Sequence, residues 1–234
     1  YRGYDSAGIA IFGEDEELRI AKTAGRVLVL EEHIESDGGL HGRVGIAHTR
    51  WATHGEPNDL NAHPHCDDQS NGHGIVLVHN GIIENYRSLK TYLQEKGHVF
   101  TSETDTEVLA HLVGELYSGD LESAVQAALR EVTGAYAIAV MCRKEPGVLV
   151  AARKGSPLMV GVGNSEYIVA SDSSAIVAHT NQAIELEDET VVRLTEDSFR
   201  TTTVENVPVT PQLMAVRPCG SKVTPSKGLP SLVR

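Results

Sequence analysis

Three helical patterns lie in succession between two blocks of short apolar runs, and this order narrows the folds open to the chain more than any other feature. In the first block, Ser6 to Phe12, Arg43 to His48 and Gly74 to His79 read as strands. The last holds Ile75, Val76, Leu77 and Val78 in a continuous apolar run of buried-strand type. Arg26 to Ile34, with Val27, Leu28, Leu30 and Ile34, reads as a short helix. The central helices then follow. Glu84 to Lys96 carries Tyr86, Leu89, Tyr92 and Leu93 on one face and stops at Gly97. Thr106 to Tyr117 carries Val108, Leu109, Leu112, Val113 and Leu116, after the capping-box pattern Thr104-Asp105-Thr106-Glu107. Leu121 to Glu131 makes the third. Strands resume at Ala135 to Met141, Gly147 to Ala152, Leu158 to Val162, Tyr167 to Ala170 and Thr190 to Leu194. The pattern predicts a layered α+β fold, not alternating βαβ units.

The 234 residues are enough to bury a sizeable core, and the hydrophobic share of 41% excludes disorder as a description of the whole. A formal charge of −12 argues against a nucleic-acid partner and against an anionic membrane surface. The apolar runs fall far short of the roughly 18 residues of a spanning helix. Cys66, Cys142 and Cys219 are odd in number and scattered, so no disulfide framework is expected, and a reducing, cytoplasmic setting fits. After Glu205 there is no acidic residue, and five of the nine prolines lie between Pro208 and Pro230. A boundary is therefore expected between a domain over 1–205 and a basic, Pro-rich, disordered tail over 206–234. Asp67 to Gly74 is expected to be an exposed polar loop.

Six of the eleven histidines fall between His48 and Asn80, together with Arg50, Trp51, Thr53 and Cys66. Zinc is one reading of such a cluster, but no Cys-x-x-Cys or helical His-x-x-x-His pair supports it, so no metal is expected. Arg50 and Asp105 suit a small zwitterion, since guanidinium grips a carboxylate through two parallel hydrogen bonds and a carboxylate takes an ammonium. From spacing alone, a surface ion pair and a helix cap are the favoured reading, because capping boxes are common. Asn80-Gly81 reads from pattern alone as a turn. A side-chain amide beside a glycine N–H can also form an oxyanion hole.

Longer strings bear on these choices. Tyr1-Arg2-Gly3-Tyr4-Asp5-Ser6-Ala7-Gly8 resembles a segment shared by glutamine amidotransferases of the N-terminal-nucleophile type. His48-Thr49-Arg50-Trp51-Ala52-Thr53-His54-Gly55, Asn61 to His65, Val78 to Asn85 and Ser102 to Glu107 resemble, in order, the segments of the hexosamine-forming branch of that family. The resemblance covers roughly residues 1–200. It implies the αββα four-layer sandwich of mainly antiparallel sheets. It also implies a glutaminase site with L-glutamine as ligand and no cofactor. Arg50 would hold the α-carboxylate, with Thr53 and His54 beside it, and Asp105 the α-ammonium. Asn80 and Gly81 would supply the oxyanion donors, Trp51 would flank the exit route of ammonia, and Arg2 would lie near the nucleophile.

The same resemblance implies a nucleophilic cysteine at the head of a strand and helix preceding the Tyr1 segment. None of the three cysteines matches it, so the chain is expected to be a truncated form, lacking that first strand and helix and inactive alone. The sugar isomerase domains, through which such enzymes meet fructose 6-phosphate and form glucosamine 6-phosphate, are likewise expected to be missing from it, and full-length members are expected to be homo-oligomers. The alternative is a non-catalytic glutamine-binding or regulatory module.

Overall fold

The two long apolar runs pair with each other, and alternate residues along both divide between two separate cores. The computed structural model describes residues 5–51, 55–67 and 73–216. Its elements in chain order begin with β1 (Ser6–Phe12), β2 (Leu18–Ala24), α1 (Val27–Ser36), β3 (Val44–Arg50), β4 (His65–Cys66) and β5 (Ile75–Ile83). Helices α2 (Tyr86–Glu95), α3 (Asp105–Leu116) and α4 (Leu121–Glu131) follow. The chain then runs through β6 (Gly134–Cys142), β7 (Leu149–Lys154), β8 (Met159–Val162), β9 (Tyr167–Ala170), β10 (Gln182–Glu185), β11 (Thr190–Leu194), β12 (Phe199–Thr203) and β13 (Leu213–Ala215).

Three antiparallel sheets result: a three-stranded sheet ordered β2-β1-β3, a four-stranded sheet ordered β13-β10-β8-β9, and a six-stranded sheet ordered β12-β11-β7-β6-β5-β4. The period of two along a strand explains how they stack. From β5 and β6, Ile75, Leu77, Tyr136, Ile138 and Val140 point toward α2, α3 and α4, where they meet Leu93, Leu109, Leu112, Leu121 and Val125. Val76, Val78, Ala137, Ala139 and Met141 point the other way, against Ala10, Phe12 and Ile46 of the three-stranded sheet and Val160 and Ile184 of the four-stranded one. Both smaller sheets thus cover one face of the large sheet, and the three central helices cover the other. Helix α1 lies against β1 and β2 with Leu30 as its one buried residue.

Local sequence accounts for the helix ends. Thr104 Oγ1 accepts the N–H of Glu107 at 3.2 Å, the N-cap half of the capping-box pattern. The Glu107 carboxylate does not return to Thr104. It reaches further back and accepts the N–H and hydroxyl of both Thr101 and Ser102 at 2.7–2.9 Å. Asp120 caps α4 through the N–H of Ser123.

Three expectations are corrected. Asn80-Gly81 is not a turn: both residues lie within β5, paired with Ala137 and Tyr136 of β6. The fold also continues past Glu205, because β13 pairs with β10 and Val216 is buried. Residues 217–234 lie outside the described residues. Asp67 and Gly74, placed in an exposed loop, are buried, and Asp67 Oδ1 accepts the N–H of Ile75 at 2.7 Å; residues 68–72 lie outside the described residues. Strands β2, β4, β10, β12 and β13 had no strong signal in the sequence, being short, edge-placed or threonine-rich. In β12, Thr201 and Thr202 are buried because their hydroxyls donate to Val209 O and to Glu122 Oε1. Among the described residues no helix is long and apolar enough to cross a membrane.

Candidate functional site

The C-terminal end of β3, the middle of β5 and the first turn of α3 meet around a cavity of about 410 Å³. Its lining comprises His48, Thr49, Arg50 and Trp51 from β3 and the residue after it, His63 from the following loop, His79, Asn80 and Gly81 from β5, and Asp105 and Thr106 from α3. Five residues singled out in the sequence are thereby brought to one place: Arg50, Trp51, Asn80, Gly81 and Asp105. Arg2, Thr53 and His54 lie outside the described residues.

Arg50 is 4% exposed, and its guanidinium donates to Gly55 O at 3.3 Å. Burial pulls its pKa down, and the charges of Asp105 and Asp5 oppose that pull. Asp105 is equally buried, and its Oδ2 accepts the N–H of Ile83 at 2.8 Å, which ties the start of α3 to the end of β5. Gly81 has φ +137°, and a Cβ there would lie 2.0 Å from Ala135 O, so only glycine serves. Trp51, 65% exposed, stands at the rim.

The motifs do not single out the histidines that complete the wall, although their density between His48 and His79 is a signal. His48 Nε2 lies 2.8 Å from Asn80 Oδ1. His79 is buried between Thr106, whose hydroxyl lies 3.1 Å from Nδ1, and Ala135 O, 3.4 Å from Nε2. His63 packs its ring over His48 with centroids 4.4 Å apart, and His65 meets His63 edge-on at 5.2 Å. His65 Nε2 in turn lies 3.0 Å from the capping hydroxyl of Thr104. Burial holds His63 and His65 well below the usual histidine range, with neighbouring positive groups adding to the effect. It also lowers His79, against the pull of Asp105, and takes His48 to about 4. These imidazoles are neutral near pH 7.

The loop that carries His63 is clamped from β2. Lys22 Nζ donates to Leu60 O, Ala62 O and Pro64 O at 2.9–3.3 Å, and Asp59 Oδ1 accepts the N–H of Ala24 at 2.6 Å. The backbone comes so close to β1 that a Cβ at Gly8 would lie 2.1 Å from His63 O. Among the described residues no group of three or more His, Cys, Asp or Glu side chains is arranged to hold a metal ion. The chemistry on offer is a buried guanidinium and carboxylate facing one amino-acid-sized space, with a primary amide and a glycine on the wall.

An antiparallel α+β framework with this site defines a class: residues 33–215 match the family described as Glutamine amidotransferase domain, and the chain belongs to that family. Its relatives carry a more particular name. It is 52% identical over 199 residues to the glutamine–fructose-6-phosphate aminotransferase (isomerizing) of Thermotoga maritima, covering 85% of this chain and 32% of that protein. It is 55% identical over 195 residues to the protein of the same name from Bordetella pertussis, covering 83% of this chain and again 32% of the relative. The chain thus spans about one third of the length of these curated relatives. Among solved structures, the glutamine phosphoribosylpyrophosphate amidotransferase of B. subtilis complexed with ADP and GMP aligns with a TM-score of 0.72 at 27% identity, over 86% of this chain and 43% of that one.

Proposed function

We propose that the cavity binds L-glutamine and that the chain is the glutaminase part of an amidotransferase that forms glucosamine 6-phosphate. The observation that carries this reading is the convergence of Arg50, Asp105, Asn80 and Gly81 on one cavity. Arg50 pairs with the α-carboxylate through its planar fork. Asp105, its plane fixed by the bond from Ile83 N–H, turns its other oxygen to the α-ammonium. Asn80 and Gly81 donate to the side-chain carbonyl, whose oxygen gains negative charge when a nucleophile adds to the amide. Trp51 flanks the way out for ammonia, and Thr53, His54 and Arg2 join the site on the strength of the sequence resemblance. In this reading the layers form the αββα sandwich of N-terminal-nucleophile hydrolases. The acceptor, fructose 6-phosphate, is met by parts of the longer relatives that this chain does not span.

Neither Cys66 nor Cys142, the two cysteines among the described residues, lines the cavity. On the sequence resemblance this chain is proposed to bind glutamine without hydrolysing it, and a binding or regulatory module is the second reading. Calorimetric titration with L-glutamine tests the site common to both. Saturable one-to-one binding, weakened about tenfold or more by Arg50→Lys, is the expected result. Unchanged affinity in that variant overturns the assignment. Glutamate release by this chain, abolished by Cys66→Ala, would refute its inactivity alone.

A further inference from the structure

A primary amide can face a ligand with either its NH₂ or its oxygen, and only the NH₂ can serve a carbonyl. In this cavity the choice is made by a neighbour. His48 points from β3 to the same inner face as Arg50, and its Nε2 lies 2.8 Å from Asn80 Oδ1. An amide oxygen only accepts, so this contact requires the proton on Nε2 and turns the Asn80 NH₂ away from the imidazole. The opposite tautomer would offer a lone pair at Nε2, invite the NH₂ and leave the oxygen facing the ligand. His48 Nδ1 is buried without a hydrogen-bond partner among the described residues, so a proton there would be a buried donor with nothing to accept it. Burial disfavours a second proton on the ring, and the positive charge of Arg50 adds to that.

The ring itself is held. His63 covers it at 4.4 Å with planes 32° apart, and the His63 loop reaches that place because position 8 has no side chain and Lys22 gathers three of the loop's carbonyls. The geometry points to His48 as a positioning residue that fixes the Asn80 amide with its NH₂ toward the ligand's side-chain carbonyl. The inference rests on the glutamine-site reading above, and it adds a selectivity device: the site distinguishes a side chain ending in a carbonyl from an apolar one of similar length.

The test uses the full chain, with L-glutamine and L-norvaline, which keeps the amino-acid head and the chain length but has no carbonyl. His48→Phe keeps a ring for His63 and removes the N–H. It is expected to weaken glutamine binding about tenfold while changing norvaline affinity less than about twofold, and His48→Gln, which again offers an N–H, should restore most of the difference. Equal losses for both ligands would overturn the inference in favour of a general packing role. Asn80→Ala separates the two levels. If it leaves glutamine affinity unchanged, the glutamine-site reading of Asn80 fails; if it weakens glutamine alone while His48→Phe does nothing, only the role of His48 fails. Nitrogen-15 NMR of the wild-type ring gives a readout independent of any variant's folding. The proton is expected on Nε2 of His48 near neutral pH, and an Nδ1–H tautomer would overturn the inference.

Discussion

Asp105 has two tasks that one substitution can separate. Its Oδ2 accepts the buried N–H of Ile83, and its charge acts on Arg50. Asp105→Asn keeps an acceptor for Ile83 and removes the charge. Folding stability by urea titration should change by about 1 kcal/mol or less, while glutamine affinity falls about tenfold or more. A loss of stability as large as the loss of binding would mean the carboxylate is chiefly structural. Arg50, Asp105, Asn80 and Gly81 were legible in the sequence because they sit in contiguous motifs. His48, His63 and His79 fall in the same strings but carry no assigned role there, and only their density marks them out. Their places on the wall depend on the pairing of β3 with β1 and on the approach of the His63 loop, and neither is written in local spacing.

At the scale of elements, α3 shows how far a periodic pattern can be read. Its apolar stripe and N-cap follow from the sequence, but the helix is buried on its polar side as well, from Asp105 through Gly114. That side meets β4 and β5, where Thr106 lies against His79, while Glu107 and His111 find partners in the segment between α2 and α3, at Thr101, Ser102 and His98. Glu107 gathers four donors from Thr101 and Ser102 and so clamps the segment leading into α3. Glu107→Ala should cost about 3 kcal/mol or more in urea unfolding, since it strips charge-assisted bonds from buried groups. A cost below about 1 kcal/mol would show that the segment finds other acceptors. The Asn80-Gly81 turn reading failed for a related reason. Asn-Gly favours positive φ, and here the positive φ of Gly81 serves a strand whose neighbour, Ala135 O, leaves no room for a side chain.

Across the molecule, burial of neutral histidines makes stability depend on pH. His48 and His111 are lowered to about 4, and His63, His65 and His79 are lowered as well, chiefly by burial. A lowered value means that the unfolded chain takes up protons first on acidification. The contribution is full above the ordinary value of 6.5 and is lost as pH falls through it toward the folded values. Each such ring can add up to about 1.4 kcal/mol per pH unit in that window. Unfolding free energy should therefore drop by about 3 kcal/mol or more between about pH 7 and about pH 5, and a flat profile would contradict the buried, neutral assignment. The division of β5 and β6 between two cores has a further consequence for how the molecule comes apart. Since the same two strands line both interiors, separating β5 from β6 breaks into both at once. In native-state hydrogen exchange, the β5 and β6 amides should exchange only through whole-molecule opening, with one shared free energy and a full denaturant slope. The amides of α1, anchored by Leu30 alone, should exchange through local fraying that denaturant hardly affects.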